Sequence, residues 1–211
     1  MILKEISEAL QKGNRKLVAE LVEKAVADGV GAKEILEEGL LDGMNIIGVK
    51  FKNNEIYVPE VLIAARAMSA GTEIIKPLLA SAGVKAKGKV VLGTVKGDQH
   101  DIGKNLVRMM MEGQGLEVVD LGVDVDADTF VKAAQDNEAD IIACSALLTT
   151  TMDEMKKVVT AAEEAGIRDK VKIMVGGAPV TDAFCSSIGA DYYTDDAASA
   201  AEVAVGVCLA K

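Results

Sequence analysis

The chain has 211 residues, half of them apolar, with 23 Lys and Arg against 33 Asp and Glu, for a net charge of −10. That apolar share supports a core and argues against intrinsic disorder. An aromatic share of 3 %, no Trp and an acidic balance exclude a base-stacking or phosphate-tracking nucleic-acid surface. No run reaches the ~18 apolar residues of a membrane helix. The three cysteines, Cys144, Cys185 and Cys208, lie far apart and read as reduced thiols. The expectation is a cytoplasmic protein that engages neither membrane nor nucleic acid.

The first 86 residues carry helical periodicity. Apolar residues recur at Ile2, Ile6, Ala9 and Leu10, at Leu17, Leu21, Val22 and Ala25, and at Ile35, Leu36, Leu40, Met44 and Ile47. A fourth helix is predicted from Val58-Pro59-Glu60 to about Ala82, with Pro in its first turn. Gly13-Asn14, Gly29-Val30-Gly31 and Lys52-Asn53-Asn54 separate the segments, which suggests a four-helix bundle over residues 1–86.

From residue 87 the texture alternates. Strands are predicted at Val90–Val95, Glu117–Asp120, Asp140–Cys144, Lys172–Val175 and Asp191–Tyr193. Helices fall at about 102–114, 126–137, 152–166, 179–188 and 196–209. Five apolar β-α repeats imply an α/β domain over 87–211, a parallel sheet covered on both faces. Right-handed crossovers favour the flavodoxin-like order 2-1-3-4-5. The acidity belongs here: residues 1–86 hold 11 bases and 12 acids, residues 87–211 hold 12 and 21.

In such a sheet, ligands bind beyond the carboxyl ends of the strands, where strand order reverses. Three loops meet there: Gly97 to Asn105 after the first strand, Ser145 to Thr151 after the third, and Gly176-Gly177-Ala178 after the fourth. His100 is the single histidine of the chain. Asp98 and Asp101 flank it, and either carboxylate could take its Nδ1 proton, leaving Nε2 as a lone-pair donor. One histidine with no second His, paired Cys or carboxylate cluster cannot hold zinc or iron. It can serve as a single axial ligand to a metal already held by a macrocycle. A Ser after a strand and paired glycines are each weak signals, since caps and tight turns use the same residues. At one crevice mouth they suggest a large ligand lying close to the backbone.

Asp98-x-His100-x-x-Gly103, Ser145-x-Leu147 and Gly176-Gly177 resemble the D-x-H-x-x-G … S-x-L … G-G signature of B12-binding domains. The stretch Gly43-Met44-Asn45-Ile46-Ile47-Gly48 to Phe51, followed by Tyr57-Val58-Pro59, is similar to the helical cap before the cobalamin domain of cobalamin-dependent methionine synthase. Size and layout are most similar to the stand-alone corrinoid proteins of methyltransferase systems that demethylate methylamines, methanol, betaines or aryl methyl ethers.

The resemblance implies cobalamin bound with its own base detached and His100 as lower cobalt ligand through Nε2, with Asp98 accepting Nδ1–H. Thr151 stands where methionine synthase has the serine of its relay. Ser145, Leu147 and Thr149 would line the slot of the nucleotide tail, with Gly176 and Gly177 giving it room. Gly97, Gln99, Asp101 and Gly103 would contact the corrin or tail through the first loop. Met44, Phe51 and Val58 fall where the family covers the upper face of the corrin, Val58 replacing a leucine of methionine synthase. By this likeness the chain catalyses nothing alone. It carries methyl groups between a substrate:corrinoid methyltransferase and an acceptor methyltransferase using tetrahydrofolate or coenzyme M, with a reductive activase as third partner. Proton uptake by the His100–Asp98 unit would weaken the ligand and couple to the methyl-transfer cycle.

Other readings fit less well. A receiver domain needs an aspartate where Cys144-Ser145 stands, and a flavodoxin wants a hydroxyl-rich first loop. A cobalamin mutase requires a substrate barrel that ~85 helical residues cannot build. The alternative from another class is a B12-sensing regulatory module, which should carry a basic DNA-binding region before the bundle.

Overall fold

The computed structural model describes residues 1–210. The chain divides into two compact units, Met1–Ala86 with Gly113–Gly115, and Lys87–Glu112 with Leu116–Lys211.

The helical unit contains α1 (Ile2–Gln11), α2 (Arg15–Ala27), α3 (Ala32–Glu34), α4 (Asp42–Lys52) and α5 (Val58–Ser81). Of its periodic residues, Ile6, Ala9, Leu10, Val22, Ala25, Ile35, Leu40, Met44 and Ile47 are buried, joined by Val18, Val61 and Ile75, whereas Leu17 is exposed. Asn14 starts α2 by accepting the Leu17 N–H on its side chain. The Glu60 carboxylate accepts the Tyr57 N–H ahead of α5. The third predicted helix is one continuous helical run, but Ile35–Leu41 between α3 and α4 is π-helical. Ile35 and Leu40 are five residues apart and both fully buried. An α-helix would point them in different directions, whereas the wider π turn puts i and i+5 on one face. A period search tuned to 3.6 does not register that insertion.

The α/β unit holds β1 (Lys89–Thr94), β2 (Glu117–Asp120), β3 (Ile141–Ser145), β4 (Lys172–Gly176) and β5 (Tyr192–Tyr193). Its helices are α6 (Ile102–Glu112), α7 (Ala127–Asp136), α8 (Asp153–Glu164), α9 (Asp182–Ser187) and α10 (Ala197–Leu209). All strand pairs are parallel, in the expected order β2-β1-β3-β4-β5. One core cluster joins Val91 of β1, Phe130 of α7, Ile142 of β3, Met155 of α8 and Ile173 of β4. Strand bounds match the sequence expectation within one residue, while α9 is shorter than expected because Thr181 caps it by accepting the Phe184 N–H.

Register sets the site. Thr94, Ser145 and Gly176 stand side by side across β1, β3 and β4. Connections leave β1 toward β2 on one side and arrive at β3 on the other, so the carboxyl ends of β1 and β3 flank the switch point. No described helix is long and apolar enough to cross a membrane. The three cysteines are buried, and burial pushes the Cys144 thiol up to about 12.

The segment 82–87 is without regular structure and largely exposed. Trypsin should therefore cut the native protein first at Lys85 and Lys87, separating the two units. Earlier cleavage inside either unit would contradict their folding as separate bodies.

Candidate cobalamin site at the carboxyl edge of the sheet

The site is organised around Asp98, whose side chain is fully buried although its neighbours Gly97 and Gln99 are exposed. One carboxylate oxygen, Oδ1, accepts the His100 backbone N–H at 3.0 Å and lies 2.7 Å from His100 Nδ1. The other, Oδ2, accepts the backbone N–H groups of Leu147 at 2.7 Å and Leu148 at 3.1 Å, and the Thr151 hydroxyl at 3.0 Å. Burial by itself would raise this carboxyl. The N–H groups of Leu147 and His100, the His100 ring and the Leu148 N–H outweigh it and hold the group well below the usual carboxylate range. An ionised Asp98 only accepts, so Nδ1 carries the proton and the free lone pair is at Nε2. The His100 side chain is 52 % exposed, and no described residue hydrogen-bonds Nε2.

The sequence left Asp98 and Asp101 as rival partners for His100. Asp101 instead accepts the Asn105 side-chain N–H at 3.1 Å. The Thr151 hydroxyl is also 3.0 Å from the Leu148 carbonyl. Its single proton serves one acceptor at a time.

The predicted residues of the α/β unit lie at the carboxyl ends of β1, β3 and β4 or in the loops and turns that follow. Gly97, Gln99 and Asp101 are exposed in the β1 loop, and Gly103 lies in the first turn of α6. Ser145 ends β3 and its carbonyl accepts the Val95 N–H. Leu147 is 45 % exposed, and Thr149 opens a short 3-10 turn. Gly176 and Gly177 follow at the end of β4. Met44, Phe51 and Val58 belong to the helical unit, Met44 buried and the other two half-buried.

Two residues outside the predicted set hold the His100 loop. The buried Thr94 hydroxyl donates to the His100 carbonyl at 2.8 Å. Asp124, in the loop after β2, accepts the Gly97 N–H on Oδ1 at 2.7 Å and donates its own N–H to the Asp98 carbonyl at 3.0 Å. Lys104, its side chain 2 % exposed, pairs with Asp120 at the end of β2 and ties α6 to that strand. Burial would raise Asp120, but Lys104, the Gly122 N–H and Arg108 bring it below its ordinary value.

The glycines divide into two kinds. At Gly177, φ is +130° and an added Cβ would collide with the Ala146 carbonyl, so the chain itself demands glycine there. At Gly176 an added Cβ would meet nothing closer than the Thr194 carbonyl at 3.8 Å, and at Gly103 it would meet nothing within 4 Å. A helical glycine facing open space costs about 1 kcal/mol relative to alanine, with no return from within the chain. Open backbone at Gly103 and Gly176, exposed Leu147, Leu148 and Ile102, and one unpaired imidazole nitrogen fit a broad, mostly apolar ligand that brings its own metal. No group of three His, Cys, Asp or Glu among the described residues could supply a protein-built metal cage.

Fold and site thus define a B12-binding protein. The B12 binding domain model matches residues 88–204, and a second B12 binding domain model matches residues 2–76. The chain is 43 % identical over 200 residues to a dimethylamine corrinoid protein of Methanosarcina barkeri, covering 94 % of this chain and 93 % of that one. A corrinoid protein of Desulfitobacterium hafniense is 41 % identical over 206 residues, 96 % of this chain and 95 % of that one. Among solved structures, the methanol:cobalamin methyltransferase complex of Methanosarcina barkeri matches with a TM-score of 0.89 and 32 % identity, over 100 % of this chain and 80 % of that one. The chain belongs to the B12-binding family, among the corrinoid proteins.

The two kinds of glycine predict different defects. Gly177→Ala should destabilise the cofactor-free protein by about 2–4 kcal/mol in urea unfolding. Gly176→Ala should leave that stability unchanged and weaken cobalamin binding about tenfold, a steric cost of order 1–3 kcal/mol. Equal stability losses in both would contradict the assignment.

Asp98→Asn replaces one accepting oxygen with an amide and should cost about 2–4 kcal/mol near neutral pH. The folded carboxyl titrates below its ordinary 3.8, so below that value the unfolded chain binds more protons than the folded one. The Asp98 contribution is therefore complete above about pH 5 and declines as pH falls below about 4. In urea titrations the gap between wild type and Asp98→Asn should narrow over that range. A constant gap would contradict an ionised Asp98.

Proposed function

We propose that this protein is a corrinoid methyl carrier, holding cobalamin base-off with His100 Nε2 as the lower cobalt ligand. The observation that carries the reading is the Asp98 centre: five donors fix one carboxylate, and that carboxylate leaves a single exposed histidine with its lone pair at Nε2. When bound, cobalamin supplies a macrocycle-held cobalt that accepts a methyl group and gives it up again.

The chain's own residues do the rest. Asp98 holds the proton of His100 on Nδ1 and sets the plane of the ring. The amides of Leu147 and Leu148 and the Thr151 hydroxyl keep Asp98 in place, linking the β3 loop to the β1 loop. Ser145, Leu147 and Thr149 line the slot proposed for the nucleotide tail, and Gly176 leaves its backbone open there. Gly97, Gln99, Asp101 and Gly103 face the corrin or tail from the first loop. Leu147 and Leu148 would exclude water from the ligand, and Met44, Phe51 and Val58 are proposed as further apolar contacts to the cofactor.

The relatives point to the class of partner: one is a dimethylamine corrinoid protein, and a matching structure is a methanol:cobalamin methyltransferase complex. The proposed partners are a substrate:corrinoid methyltransferase, an acceptor methyltransferase and a reductive activase.

The test is single-turnover transfer. Reduced holoprotein is mixed with a methylamine or methanol methyltransferase and isotope-labelled substrate. Wild type should retain label stoichiometric with bound corrinoid, and His100→Ala should be slowed at least ~10²-fold, the scale expected for loss of a metal-orienting group. No label on this chain, while a corrinoid relative in parallel becomes labelled, would contradict the carrier role.

A further inference from the structure

The His100 loop turns on residues with little side chain to pack. Gly97 has φ +80°, and Gly97, Gln99 and His100 are all exposed. Such a segment stays in one conformation only if its backbone groups are held. From its own side, the Asp98 N–H bonds the Val95 carbonyl at 3.2 Å and Thr94 holds the His100 carbonyl. From the neighbouring loop, Asp124 holds both groups of the Gly97–Asp98 turn: the Gly97 N–H on its carboxylate and the Asp98 carbonyl on its N–H.

This two-point clasp requires an unusual backbone. Asp124 has φ +56°, in the left-handed region that few non-glycine residues adopt and that Asp and Asn enter most easily. Hydrogen bonds on both sides fix the segment that carries it: the Thr94 N–H bonds the Gly122 carbonyl and the Val125 N–H bonds the Thr94 carbonyl. The strain thus has a definite consequence, since it aims both a carboxylate and an N–H at one turn of the His100 loop, gripping the Gly97 N–H and the Asp98 carbonyl.

We propose that Asp124 is a positioning residue for the cobalt ligand, clasping the Gly97–Asp98 turn so that the Asp98–His100 pair presents Nε2 at a fixed height and angle. The proposal rests on His100 being the lower ligand. Asp124 bonds the backbone before His100 and not the ring, so it acts through the loop. Without the clasp, the loop samples positions in which Nε2 falls short of the metal, and the ligated fraction drops.

Two substitutions separate the carboxylate from the backbone geometry. Asp124→Asn keeps a side-chain acceptor and tolerates φ > 0, whereas Asp124→Gly keeps the φ and loses the acceptor. Each variant, wild type and His100→Ala are loaded with cobalamin and reduced to the cobalt(II) form. The absorption spectrum then reports the fraction with axial nitrogen, His100→Ala serving as the reference without the protein ligand. Wild type and Asp124→Asn should share one spectrum, and Asp124→Gly should lose about half or more of its ligated fraction at equal cofactor content. If His100→Ala matches wild type, the ligand assignment itself fails and the proposal goes with it. If His100→Ala differs but Asp124→Gly matches wild type, or Asp124→Asn is as defective as Asp124→Gly, the ligand stands and the clasp is overturned. Should Asp124→Gly not fold, amide exchange in the wild-type apoprotein decides. The Gly97 N–H must be protected about tenfold over an unstructured glycine, as a charge-assisted bond requires, and free exchange overturns the proposal.

Discussion

A carboxylate buried from water must recover several kcal/mol of lost hydration, and at Asp98 five N–H and O–H donors supply it. Those donors come from two loops, so the charge can be stable only when the β1 and β3 loops are in register. The constraint runs both ways. The sheet places Thr94 beside Ser145, which brings Leu147 and Leu148 within reach of Asp98, and Asp98 then pins the loops that the sheet merely brings near. The chemistry proposed for His100 depends on this anchor, because an ionised, acceptor-only Asp98 decides which imidazole nitrogen is free.

The surroundings form a second ring of fixation, contributed largely by β2 and its loop. Asp120 holds Lys104 of α6, and Asp124 holds the turn before Asp98. A nearly fully buried lysine side chain that served only packing would be an expensive choice, since hydrophobic replacements of buried ion pairs are often neutral or stabilising. At this position the pair fixes the helix that begins two residues after His100. The site is therefore built from the inside outward: one anion, the amides around it, and strand ends that hold the amides.

Much of this was legible in the sequence because each element announces itself locally. Apolar strands bounded by glycines, the five-fold β-α alternation and the crossover rule led to the observed strand order. The single histidine between two aspartates is legible in the sequence alone as the candidate ligand. What the sequence could not resolve was contact across strands. Asp98, two residues before His100, and Asp101, directly after it, are both candidates by proximity, and the resemblance alone singles out Asp98; folding buries the first and turns the second toward Asn105. Asp124 lies in a loop that the switch-point rule does not single out, although a Gly-x-Asp turn after the strand beside β1 was a usable signal. Gly176 and Gly177 read alike as a pair, yet one is required by the Ala146 carbonyl and the other faces open space. The π turn escaped notice for a similar reason, since it is a one-residue change of phase within a run that is helical throughout.

The most direct test of the Asp98–His100 account is the electron paramagnetic resonance spectrum of the cobalt(II) form, with ¹⁵N-labelled protein loaded with unlabelled cobalamin. Doublet superhyperfine splitting is predicted, because the axial nitrogen would then belong to the protein, and a single histidine leaves little choice of residue. Triplet splitting would mean that the cofactor retains its own base, and the role assigned to His100 and its buried anchor would be wrong.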